Sequence, residues 1–114
     1  MALGRAGYEK FIASLPGTSL NEQWEASCAK VGGKVFALFG LDSHDVVFKV
    51  GDVAFAGLTS LPHIRQAAYF AKGQWVNVGK GALPDVDLKA YLRESHRIVA
   101  GKLTRKVRAE LNLE

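Results

Sequence analysis

Lysine recurs where this chain turns: Lys30 and Lys34 bracket Gly32-Gly33, and Lys72 stands beside Gly73. An ammonium group on a four-carbon stem at a hairpin tip is a mobile point charge. It suits pairing with a phosphate oxygen better than moving a proton. Lys49 and Trp75 add a second chemistry. Strand alternation places them away from Phe48 and Val76, so a face left open by the helices would present a cation and an aromatic together. Bases stack on aromatic rings and phosphates pair with lysine, which suits a nucleic acid. The same residues carry another reading. Trp75, Phe36 and Leu38 would then fill a second small core under the C-terminal segment, or form a dimer interface or an apolar docking face for a protein partner.

Further cations lie in the second half of the chain. From Arg97 through Lys102, Arg105 and Lys106 to Arg108 no acid intervenes. Arg105 and Lys106 fall in the first turn of a terminal helix, where the helix dipole disfavours positive charge. An anion docking there would relieve the conflict, although a solvated face tolerates a cost of about a few tenths of a kcal/mol. Arg65, in Pro62-His63-Ile64-Arg65, either meets a phosphate or caps a strand end. Lys80 sits in Gly79-Lys80-Gly81, which lacks the Gly-Lys-Ser/Thr of a phosphate loop between strand and helix. The candidate phosphate contacts are therefore Lys30, Lys34, Lys49, Arg65, Lys72, Lys80, Arg105 and Lys106, with Trp75 as the stacking surface.

Catalytic chemistry has less to draw on. Cys28 with His44 or His63 would make a nucleophile and a base, but no local signature joins them, and a lone cysteine in a strand is more often a small buried hydrophobe. The histidines at 44, 63 and 96 have no second ligand at metal-site spacing. The expectation is a protein without catalysis, cofactor or metal.

Composition bounds the rest. A chain of 114 residues makes one domain, spanning 1–114, that buries about two-thirds of its unfolded surface without help from disulfides. The single Cys28 excludes an internal disulfide framework, and MALGRAGYEKFIASL carries charge and glycine where a signal peptide needs an apolar core. These features predict a cytoplasmic protein. No apolar run approaches the roughly 20 residues that span a bilayer, so no membrane role is expected. The net charge is +4, and it is unevenly placed: residues 1–60 hold five Lys/Arg against six Asp/Glu, and residues 61–114 hold ten against five. Such asymmetry suggests an anionic partner, DNA above all, although it also serves solubility alone.

The elements that would position these residues follow from periodicity. Tyr8, Phe11, Ile12 and Leu15 recur at helical spacing, and Pro16-Gly17 ends that helix. A turn over Thr18 to Asn21 leads to a first strand over about 22–31, and Gly32-Gly33 turns it into a second from Lys34. In that second strand Val35, Ala37 and Phe39 alternate with Phe36 and Leu38. Residues 45–50 make a third strand, Val53 to Leu58 a short helix, and 64–70 with 74–78 a second hairpin. Leu88, Tyr91, Leu92, Ser95 and Val99 mark the buried stripe of the strongest helix, and His96 lies at its edge. Thr104 caps a last short helix with Val107 and Leu111 inward. The predicted fold is α+β, a two-layer sandwich of order α-β-β-β-α-β-β-α-α. Its sheet is five-stranded and largely antiparallel, with the helices on one face.

Taken in order, Gly32-Gly33-Lys34-Val35-Phe36-Ala37-Leu38, Tyr69 with Gln74-Trp75-Val76-Asn77-Val78, and Ser95-His96-Arg97-Ile98-Val99 with Lys102-Leu103 resemble the MmcQ/YjbR family over nearly the whole chain. The resemblance implies a small two-layer domain of the CyaY-like or secretion-chaperone-like kind. It also implies DNA binding through a double wing of hairpins, with no established catalytic residues. At His96 this chain departs from the family, where an aromatic often stands.

Overall fold

The computed structural model describes residues 3–113. Helix α1 (Arg5–Ala13) buries Tyr8 and Ile12. Its C-terminal end is tied to the sheet by Thr18, whose Oγ1 donates to the carbonyls of Ile12 and Leu15, both at 2.9 Å. Six strands follow in the spatial order β1-β2-β3-β4-β6-β5, every neighbouring pair antiparallel. They are β1 (Thr18–Gln23), β2 (Ala26–Val31), β3 (Lys34–Gly40), β4 (Val46–Lys49), β5 (Ile64–Gln66) and β6 (Trp75–Val78). Helix α2 (Asp52–Thr59) lies between β4 and β5, and α3 (Asp85–Ala100) and α4 (Arg105–Glu110) close the chain. Hydrophobic residues of α1, α2 and α3 join Val31, Phe36, Phe39, Phe48, Val76 and Val78 in one core, so the helices cover one face of the sheet. The predicted α+β two-layer class and antiparallel sheet are those observed.

Three details differ from the sequence reading. The turn expected over Thr18 to Asn21 is instead part of strand β1, and the strand expected over 22–31 is broken at Trp24-Glu25, where β1 turns into β2. Both hinge residues are left-handed, with φ 53° and 57°. A two-residue hairpin loop needs positive φ at both positions, and sequences usually signal this with Asn or Gly. Trp-Glu gives no such signal, so the sheet has six strands instead of five. The second hairpin is also shorter than expected: β5 stops at Gln66, and residues 67–74 form a loop.

The third difference is a bulge in β3. Ala29 pairs with Ala37 but Lys30 pairs with Val35, which leaves Phe36 as an extra residue. A bulge interrupts alternation, so Phe36 joins Ala37 and Phe39 on the helix side while Val35 moves to the other face. Ser95 of α3 repairs the interrupted ladder. Its Oγ donates to the Phe36 carbonyl at 2.7 Å and accepts from the Lys49 amide at 2.9 Å. His96 is buried too, with its ring edge-on to Phe36 at 5.3 Å and Nε2 at 2.8 Å from the Pro16 carbonyl. A carbonyl oxygen only accepts, so Nε2 carries the proton in this contact.

Candidate nucleic-acid interface

Strand direction decides which cations meet. β3 begins at Lys34, β4 ends at Lys49, β5 ends at Gln66 and β6 begins at Trp75, so the β2–β3 turn and the β5–β6 loop share one end of the sheet. The amide of Val50 donates to the Gln74 carbonyl at 2.8 Å and holds the loop's return against the end of β4. Lys30, Lys34 and Lys72 are therefore at or near the same end as Lys49.

A long-range contact completes the group. Gly32 has φ +57°, and a Cβ built on it would lie 2.6 Å from Cδ1 of Leu103. Only glycine both adopts this turn and lets Leu103 seat against it. Leu103 is itself buried, and it brings Lys102, the residue before it, to the lysine end. There the Lys49 ammonium loses its proton more readily than an ordinary lysine. Burial is the largest cause, the positive charge of Lys102 the next, and that of Lys34 adds to it. Among the described residues the ion pairs are Arg5–Glu9, Arg5–Glu22 and Glu94–Arg97, so no acid neutralises Lys34, Lys49 or Lys102. Three lysines from positions far apart in the chain thus converge without a counter-charge, an arrangement that a multivalent anion would relieve.

The other sequence candidates are dispersed. Lys30 is half-buried on β2 and Lys72 exposed in the β5–β6 loop. Arg65 is exposed on the edge strand β5, Lys80 follows β6 at the opposite end of the sheet, and Arg105 and Lys106 are exposed on α4. Thr104 caps α4 as expected, its Oγ1 accepting from the Val107 amide at 3.2 Å.

Trp75 requires a correction. It does pair with Lys49 across β4 and β6, on the face away from the helices. However, it is only 9% exposed, because Phe70 folds from the β5–β6 loop onto its ring with centroids 4.4 Å apart. Phe70 in turn packs against the buried Ala26, Cys28 and Leu38, so the Trp75 ring presents no free stacking surface. Cys28 is fully buried there, and burial pushes its thiol above the ordinary value.

The exposed aromatics of this face are ones that the sequence reading does not select. Trp24 is 68% exposed and Tyr69 fully exposed. With Leu38, Ala68 and Phe70 they line a cleft of about 420 Å³. Both are non-glycine residues at positive φ, 53° and 69°, a conformation with a real steric cost that no local sequence pattern announces. Among the described residues no three His, Cys, Asp or Glu side chains gather as a metal site, and no helix is long and apolar enough to cross a membrane.

The YjbR family model matches residues 13–98. A Deinococcus radiodurans protein with a DUF419 domain superposes with a TM-score of 0.85 at 25% identity, over 96% of this chain and 88% of its own. A Pseudomonas syringae protein superposes with a TM-score of 0.68 at 16% identity, over 83% of this chain and 97% of its own, a likeness of fold alone. A search of curated proteins gives no match.

Proposed function

The chain belongs to the YjbR family, and from that footing we propose that it binds DNA through the phosphate backbone, without a catalytic step. Lys34, Lys49 and Lys102 make the central contact, and Lys30 and Lys72 extend it to the two hairpins. The observation that carries this reading is that strand direction and the seat of Leu103 on Gly32 bring Lys34, Lys49 and Lys102 to one end of the sheet, with no ion-pair partner among the described residues. The two hairpins at one end of the sheet act as wings, and Lys102 bridges from the helical layer. The contact is to phosphate, so it positions the duplex without reading its sequence.

The test is fluorescence anisotropy with labelled single- and double-stranded DNA at several salt concentrations. Wild-type binding weakens as salt rises. In Lys34→Gln/Lys49→Gln/Lys102→Gln the log–log salt slope falls by about 0.9 for each phosphate that the variant no longer neutralises. No binding at low salt, or a slope unchanged in the triple variant, would overturn the reading.

The cleft between Trp24 and Tyr69 favours a second reading, an apolar segment of a protein partner docked on the sheet face. Its association would tolerate salt and be abolished in Trp24→Ala/Tyr69→Ala, while the lysine triple variant retained it.

A further inference from the structure

The helical layer holds a groove with no part in the reading above. It runs between the end of α1, the last turns of α3 and α4, and encloses about 670 Å³, within the size range of small-molecule sites. Leu15, Ala100 and Leu113 supply apolar lining, while Arg93, Arg97 and Arg108 bring three guanidinium groups.

The three arginines are not equivalent. Arg93 and Arg97 are one turn apart on α3 and share a face. The Arg93 guanidinium lies 5.3 Å from the Phe11 ring, a contact that leaves its N–H edge free for a ligand. Arg108 uses one nitrogen on the Gly101 carbonyl at 3.3 Å, which holds it across the groove. Arg97 is clamped by Glu94, the one carboxylate among the described residues of the lining, through two hydrogen bonds. Among the described residues of the lining, three guanidinium groups stand against one carboxylate, a surplus of two positive charges. A smaller cavity of about 200 Å³ adjoins at Arg108 and Leu113 and adds Arg105.

We propose that this groove binds a small phosphate monoester, its apolar body resting on Leu15, Ala100 and Leu113 and its head held by Arg93, Arg97 and Arg108. Two observations select phosphate over carboxylate. The surplus of two positive charges matches a phosphate dianion. In addition, guanidinium forks arriving from two helices can be met by three terminal oxygens, whereas a carboxylate offers two in one plane. The apolar lining distinguishes the site from a plain anion patch, since inorganic phosphate would leave it wet.

The test is a titration followed by amide NMR shifts, with 1-naphthyl phosphate as the probe. Inorganic phosphate, 1-naphthol and 1-naphthoate separate head, body and head type. The expected result is saturable shifts confined to residues 12–17, 93–101 and 104–113. Affinity for 1-naphthyl phosphate should be about tenfold above that for each of the three comparison compounds. Arg93→Gln/Arg108→Gln weakens it about tenfold, and Lys34→Gln/Lys49→Gln leaves it unchanged. The assignment is overturned by an absence of saturable shifts, by 1-naphthoate binding as tightly as the phosphate, or by shifts centred on Lys34 and Lys49 that vanish in the lysine variant. DNA binding is measured separately on the same two variants. Loss there in the lysine variant alone keeps the two sites independent.

Discussion

A single hydroxyl group connects the sheet bulge to the lysine end. Ser95 Oγ takes the place of a ladder partner, donating a hydrogen bond to the Phe36 carbonyl and accepting one from the Lys49 amide. Ser95→Ala leaves both backbone groups unpaired in a dry interior, at a cost of about 2–3 kcal/mol. Thermal unfolding should show Tm lower by about 10 °C. Lys49 itself titrates below an ordinary lysine because of burial and then of Lys102 and Lys34. Its proton is thus held less tightly in the folded chain than in the unfolded one. Stability therefore rises with pH between the lowered value and 10.5, the ordinary one. Binding of a polyanion favours the charged amine and has the opposite trend, weakening as pH passes the lowered value. An NMR titration of the Lys49 side chain should give a pKa that moves upward in Lys102→Gln and again on adding DNA. A value at or above 10.5 in the free wild-type protein would refute the clustering.

At the scale of elements, the β1–β2 hairpin is held by an unfavourable turn. Replacing Trp24-Glu25 with Asn-Gly supplies residues that take positive φ at little steric cost, and should stabilise the fold by about 1 kcal/mol. Chemical denaturation measures the gain. A loss of stability would mean that the Trp24 ring itself contributes packing. The same hairpin shows what the sequence reveals and what it hides. Gly32-Gly33 and Lys72-Gly73 announce their turns because glycine marks positive φ. The α3 stripe is readable because its buried residues repeat at helical spacing, and Thr104 because caps are local. Trp24-Glu25 is invisible since its left-handed backbone is imposed by the pairing of the flanking strands. The bulge at Phe36 is hidden for a related reason, since an apolar residue fits either face of an apolar strand. For Trp75 the sequence leaves an open face and a second small core both possible, because nothing local says that Phe70 will cover it.

For the whole molecule, charge and stability pull in opposite directions. The basic surplus of residues 61–114 supplies Lys72 and Lys102 to the lysine end of the sheet and Arg93, Arg97 and Arg108 to the groove of the helical layer, while the remaining cations are dispersed. Lys102 belongs to the first only through the contact of its neighbour Leu103 with Gly32. Its part in the site is illegible in the sequence because it stands far along the chain from Lys34, beyond every strand. Lys102→Gln removes a like-charge repulsion and should raise Tm by about 1–3 °C, while weakening DNA binding. Parallel melts and anisotropy titrations decide the point: a variant that loses stability and keeps full affinity would show that Lys102 serves packing alone.

The seating of Leu103 on Gly32 has a consequence for the order of events during synthesis. Lys34 and Lys49 leave the ribosome first and can pair within their strands, but Lys102 follows only after α3. The third charge enters the group only after α3 has formed and Leu103 has reached the turn. A partly made chain therefore carries two of the three lysines and no finished site, so it cannot engage a polyanion prematurely through all three.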